Sequence, residues 1–366
     1  MLRYIRRSFG GRPELGRGHN FANMNTISPE LAQELKKHPF PDSGKLRPTA
    51  SPLQLRAARA THLAGLRHLY PIPGPIPEAV KEKEHLVKVR DGKDIRIMIY
   101  TPTKPSSSGS PLIVMFHEGG WCMGDLTDEA LNCRMFSRDL GAVCVNVEYR
   151  LAPEASFPTG VNDSWDVLKW CAQEASPTSS LLPADPSIGF IVGGASAGGN
   201  ISAVLCQIGR DEGLQPPLTG QYLCVPALLS PKAVPDKWKG QYRSRTEAVS
   251  DPILKLAKPG STSATADALK PDVFSPLYSP LLHENLSKLP AAFFQLCGLD
   301  PLKDEGVLYE KLLREDHGTR TKVEIYEGFG HMFWTNWPLM RRSTEFVNDT
   351  LVGVQWLLTI GSQEDA

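Results

Sequence analysis

The chain has 366 residues, with Lys plus Arg and Asp plus Glu balanced at 40 each. It is long enough to bury a large α/β core and lacks the global field that draws a protein to nucleic acid or an anionic membrane. No apolar run approaches the ~18 residues of a spanning helix, which argues against stable membrane insertion and leaves a neutral or apolar small molecule as the expected partner. The seven cysteines are odd in number and scattered with no C-x-x-C, which gives zinc and redox motifs no support and fits a reducing, cytoplasmic setting.

Along the chain, Arg3, Arg6, Arg7, Arg12 and Arg17 stand against Glu14 alone, so residues 1–24 read either as a mitochondrial targeting segment or as a disordered start. After Met24, Ser28 and Leu31 are placed for a capped amphipathic helix. Residues 25–80 read as helical pieces broken by YPIPGPIPE, which no helix or central strand could contain. HLVKVRDGKDIRIMIYTP then alternates apolar and polar residues on both sides of Asp91 and Gly92, a hairpin signal. Apolar runs follow at 112–116, 142–147, 188–192, 221–228, 291–297 and 322–326, with helix-length spacers. That rhythm predicts a mostly parallel sheet with helices on both faces and a site at the carboxyl ends of its strands. Residues 231–285 break the rhythm and read as an insertion above the sheet.

The first motif follows PLIVMF. In HEGGW, Gly119 and Gly120 put two unobstructed amides at a strand's carboxyl end, suited to an oxyanion, and His117 is expected to brace the loop. HE also opens the zincin pattern H-E-x-x-H, but its fifth position is Trp121, so no metal site is expected. In IVGGASAGGN, an apolar strand meets a helical pattern through Gly194, Ser196 and Gly198, the G-x-S-x-G of a nucleophile elbow, with the Ala197 amide at a helix start. Asp300 follows the apolar run AAFFQLCGL, and His331 follows KVEIYEGFG. Ser196, Asp300 and His331 therefore run in the order nucleophile, acid, base of the α/β-hydrolase arrangement. Asp304 is the rival acid, set farther from the strand end. Arg150 and Glu154 of YRLAPE are read as a structural pair, and Trp121 as a pocket residue because it follows the glycines.

With HEGGW, VEYRLAPEASFP, GASAGGN, GLDPLKDEG and GFGH in place over roughly residues 85 to 355, the chain resembles the hormone-sensitive-lipase-like family of α/β hydrolases. The resemblance implies an eight-stranded, mostly parallel α/β core over 81–230 and 286–366, capped by the helices of 25–80 and by the insertion 231–285. It also implies a Ser196–Asp300–His331 triad and an oxyanion hole at Gly119, Gly120 and Ala197. Two departures stand out: Ala195 replaces the aspartate common before the nucleophile, and Glu118 replaces the first glycine after His117. Glu118 either opposes the negative charge of the transition state or is silenced by a salt bridge within the loop, the second being the expectation.

The expected activity is hydrolysis of small to medium, mainly apolar carboxylic esters without a cofactor. The alternative is a non-hydrolytic dehydratase or lyase of a biosynthetic pathway, in which Glu118 adds a carboxylate. A ligand-binding receptor is a third reading, opposed by the presence of His331. A homodimer is family-like.

Overall fold

The structure is a computed structural model describing residues 26–40, 50–104, 107, 109–248, 250–254 and 264–361. The expected targeting or disordered segment at 1–24 lies outside the described residues.

The alternating run forms an antiparallel hairpin of β1 (Val80–Lys88) and β2 (Asp94–Pro102). Its turn is carried by Gly92 at φ +80, a left-handed conformation that glycine adopts without a Cβ clash. The continuous apolar runs become β3 (Leu112–Phe116), β4 (Val143–Val147), β5 (Phe190–Ala195), β6 (Gly220–Cys224) and β7 (Ala291–Cys297), every residue of which is buried. β8 (Thr321–Tyr326) forms the half-buried far edge. The sheet order is β1-β2-β4-β3-β5-β6-β7-β8, parallel from β4 onward. β3 lies between β4 and β5, with Val114 opposite Val145 and Val192.

Ten helices accompany the sheet among the described residues. In chain order they are α1 (Pro29–Lys37), α2 (Pro52–Ala64), α3 (Ala130–Leu140), α4 (Thr159–Glu174), α5 (Ala197–Asp211), α6 (Ser244–Glu247), α7 (Ala264–Leu269), α8 (Lys303–Lys311), α9 (Phe333–Asn336) and α10 (Arg341–Gly361). Strand side chains alternate across the sheet, so it carries a core on each face. Leu112, Val114 and Phe116 pack with α4, α5 and α8 through Leu168, Leu205 and Leu308. Ile113 and Met115 pack on the other face with α3 and α10 through Phe136 and Leu357.

Local chemistry sets the helix starts. Ser28 caps α1 by accepting from the Leu31 amide at 3.1 Å, and Ser51 and Gln54 form a reciprocal capping box on α2. The Ser28 amide donates to the Gly328 carbonyl at 2.9 Å, tying the N-terminal helix to the loop that leads to His331. Among the described residues no helix is long and apolar enough to cross a membrane, and all seven cysteines are buried and free.

β5 and β6 depart most from the apolar runs. β5 starts at Phe190 because Asp185 caps a short 3-10 turn over Pro186–Ile188, and Gly189 follows at φ +155. β6 stops at Cys224 because Val225 takes φ +37, and its amide turns to the Gln295 carbonyl at 2.8 Å.

Candidate active site

The carboxyl end of β5 is where backbone crowding selects glycine. A Cβ added at Gly194 would stand 2.2 Å from the Phe116 carbonyl oxygen, and one added at Gly198 would stand 1.9 Å from the same atom. The end of β3 therefore occupies the space that side chains at 194 and 198 would need. Between these glycines Ser196 takes φ +54 and ψ −111, a strained conformation for a residue with a Cβ. Its amide donates to the Cys224 carbonyl at 2.8 Å, and its own carbonyl accepts from the Ala227 amide at 3.2 Å. The turn is thus clamped by β3 on one side and the end of β6 on the other. Ala197 begins α5, so its N–H belongs to the first helical turn, where amides have no intrahelical acceptor.

The loops after β7 and β8 bring Asp300 and His331 to Ser196. His331 Nε2 lies 3.1 Å from Ser196 Oγ, and His331 Nδ1 lies 2.7 Å from Asp300 Oδ2. With Nδ1–H donating to the carboxylate, Nε2 presents its lone pair to the serine hydroxyl. Asp300 is 1% exposed, and its second oxygen accepts from the Leu302 amide at 2.8 Å. Burial alone would lower the His331 pKa, but Asp300, with Asp251 and Glu118, raises it above its ordinary value. Asp304 is not part of this line: it accepts from the amides of Arg243 and Ser244 at 2.8 and 2.7 Å, fastening the insertion to α8.

The loop after β3 faces the same space. Gly119 takes φ +118 and Gly120 takes φ +60, and both line one cavity with Ser196 and His331. A Cβ at Gly119 would stand 2.3 Å from the Met123 carbonyl oxygen, so the loop folds back tightly on itself. His117 is fully buried and stacked on Tyr149 at 4.2 Å between ring centroids. Its Nδ1–H donates to the Glu118 carbonyl at 2.8 Å, while Tyr149 Oη donates to its own carbonyl at 2.8 Å. Burial lowers the His117 pKa, so the ring is a neutral spacer.

Glu118 is 4% exposed and paired with Arg59 of α2, Oε1 to Nη2 at 2.5 Å. The pairing is with another segment of the chain, where the sequence suggested one inside the loop. Arg59 also reaches Asp128 at 3.0 Å, and Arg67 reaches the other oxygen of Asp128 at 2.9 Å. Burial and Asp128 push the Glu118 carboxyl up to about 7 against the pull of Arg59. The side chain nonetheless lines the cavity beside the glycines.

The cavity measures about 790 Å³. Leu55, Ala58 and Leu63 of α2, Met123, Ile253 and Leu254 give it apolar walls. Its polar corner is His62, whose Nε2 lies 3.0 Å from Asn336 Oδ1. Trp121 is absent from this wall: its ring packs 5.1 Å from that of Tyr278. Arg150 and Glu154 do not pair with each other either. Arg150 holds Asp163 and Asp91, and Glu154 holds Arg56. Asp251, in the insertion, escaped the sequence reading although its Oδ2 accepts the His331 amide at 2.6 Å. The Asp251-Pro252 dipeptide is a turn signal, and nothing local ties it to a residue 80 positions later. Among the described residues no group of three or more His, Cys, Asp or Glu side chains could hold a metal ion.

Comparison with known proteins agrees with this architecture. Residues 113–335 match the model of a family described by its α/β hydrolase fold. An AB hydrolase superfamily protein of Schizosaccharomyces pombe is 36% identical over 340 residues, 93% of this chain and 96% of that one. The versiconal hemiacetal acetate esterase of Dothistroma septosporum is 33% identical over 81% of this chain and 87% of its own. The crystal structure of vibralactone cyclase superposes with a TM-score of 0.84 at 30% identity, covering 93% of this chain and 97% of that one. The chain is a carboxylesterase-like hydrolase and belongs to the hormone-sensitive-lipase-like family of α/β hydrolases.

Proposed function

We propose that this protein hydrolyses small to medium, mainly apolar carboxylic esters through Ser196, His331 and Asp300. The observation that carries the proposal is the unbroken line Ser196 Oγ, His331 Nε2, Nδ1 and Asp300 Oδ2, with steps of 3.1 and 2.7 Å, opening on the apolar cavity. Ser196 Oγ attacks the ester carbonyl while His331 Nε2 takes its proton, and Asp300 holds the tautomer and stabilises the imidazolium. The amides of Gly119, Gly120 and Ala197 receive the oxyanion. Loss of one such donor costs roughly 3 to 4 kcal/mol in comparable sites. The imidazolium then protonates the leaving alcohol, and water repeats the attack on the acyl-enzyme. In this reading residues 25–80 and 231–285 form the cap, because α2 and the turn at Ile253 and Leu254 wall the cavity.

The test is turnover of p-nitrophenyl esters from acetate to decanoate by the wild type and Ser196→Ala. Loss of activity in a folded Ser196→Ala, with a length optimum set by the cavity, is the expected result. A folded wild type that cleaves none of them sinks the proposal. The likeness to vibralactone cyclase supports a second reading, in which a nucleophile within the substrate replaces water at the acyl-enzyme. Analysis of products from hydroxy esters separates the two.

A further inference from the structure

Asp251 makes contacts that a turn-capping aspartate would not need. One oxygen, Oδ1, accepts from the amides of Ile253 and Leu254 at 2.7 and 2.8 Å, which is an ordinary Asx turn. The other, Oδ2, accepts from the backbone amide of His331 at 2.6 Å. The approach is close enough that a Cβ added at the neighbouring Gly330 would stand 2.8 Å from Oδ2. Asp251 is 4% exposed, so its charge is screened little by water. Ile253 and Leu254, whose amides fill its first oxygen, are themselves walls of the substrate cavity.

We infer that Asp251 is a positioning residue for the base, fixing the place and the proton affinity of His331 from the segment that walls the substrate cavity. The inference rests on the proposed role of His331. A purely structural Asx turn would hold the insertion in shape and leave the imidazole indifferent to its charge. The acids that face His331 are Asp300 after β7, Asp251 in the insertion and Glu118 in the loop after β3, and each favours the imidazolium. Asp251 itself faces Asp300 and His331, and burial with Asp300 pushes its carboxyl up to about 6. Asp251 acts on His331 as a carboxylate and, after Asp300, helps hold its pKa above the ordinary value. Removing that negative charge must therefore lower the His331 midpoint.

The experiment compares the wild type with Asp251→Asn and Asp251→Ser. Serine keeps a hydroxyl for the turn amides and, like asparagine, lacks the charge. The acid limb of kcat/KM for p-nitrophenyl acetate and the pH titration of the downfield His331 Nδ1–H proton resonance are read in each. The expected result is a fall of about one pH unit in both midpoints. With it should come a roughly ten- to hundredfold loss of kcat and little change in KM. Unchanged midpoints in either folded variant overturn the inference, and thermal melts identify which variants are folded. The resonance does not depend on turnover. A wild type without esterase activity would end the proposed function, while the titration would still decide whether Asp251 governs His331.

Discussion

Arg59 of α2 lies 2.5 Å from Glu118 and 3.0 Å from Asp128, so a single guanidinium joins an N-terminal helix to the loop beside the nucleophile. The cluster holds two acids and two arginines, because Arg67 covers the second oxygen of Asp128 at 2.9 Å. Charges this deep stand only as a neutralised set. Arg59→Leu would leave Glu118 buried without its partner, at a cost of about 3 to 5 kcal/mol. Adding Glu118→Gln to that variant should restore part of the loss. Urea unfolding of the two single variants and the double variant measures the coupling, and strictly additive losses would disprove it.

The same carboxyl makes stability depend on pH. Its folded pKa is about 7, above its ordinary 4.5, so the folded state binds a proton more tightly than the unfolded chain does. The stability from this group is fully present below about 4.5 and is lost as pH rises through about 7. Glu118→Gln should flatten that slope. The comparison is the difference in urea midpoint between wild type and variant at pH 5 and pH 8: a difference that does not grow in favour of the variant contradicts the assignment.

Asp300 and Asp304 stand four residues apart and do different work. Asp300 holds Nδ1 of His331 at 2.7 Å, whereas Asp304 holds two amides of the insertion. Asp300→Asn presents a donor to the ring and stabilises the wrong tautomer, so kcat should fall by roughly 10⁴ in a folded protein. Asp304→Asn weakens charge-assisted bonds at the surface of α8, with about 1 kcal/mol lost and turnover changed less than about tenfold. Ester kinetics with circular dichroism on both variants would reverse the assignment if Asp304→Asn were the more damaging.

How much of this could be read from the sequence follows the distance over which each interaction acts. The apolar runs marked β3, β4 and β7 to within a residue or so, because strands buried on both faces admit little else. The ends of β5 and β6 were misplaced by a capped 3-10 turn and by a valine at φ +37, both settled by tertiary bonds. The elbow was legible because G-x-S-x-G falls between an apolar run and a helical pattern, although the crowding that demands its glycines comes from the end of β3. Asp251, Arg59 and His62 were not, since each meets its partner across a long stretch of chain. Arg150 and Glu154 show the converse error, in which neighbours in sequence turn to Asp163 and Arg56 instead. Trp121 followed the glycines in sequence, but its backbone, at φ +59, belongs to a turn that packs its ring on Tyr278.

The contact between Gly198 and β3 gives the sharpest steric expectation. A Cβ at 198 would meet the Phe116 carbonyl oxygen at 1.9 Å and the His117 carbonyl oxygen at 2.9 Å. Those atoms are backbone, fixed on one side by β4 and β5 and on the other by the His117 loop, so no side-chain rotation relieves the overlap. Gly198→Ala must push the elbow away from the loop that carries Gly119 and Gly120. A displacement near 1 Å at a reacting group costs about 10² in rate, and overpacking of this kind costs roughly 1 to 3 kcal/mol or more in stability. Gly209, later in α5, is the control: its added Cβ would meet nothing nearer than 3.6 Å. Gly209→Ala should be neutral or stabilising by up to about 1 kcal/mol, because alanine is the better helix former. Thermal melts and ester turnover of the two variants test the pair. A Gly198→Ala protein with wild-type turnover would mean that the end of β3 yields, and that the loop after β3 is less tightly coupled to the nucleophile than the geometry requires.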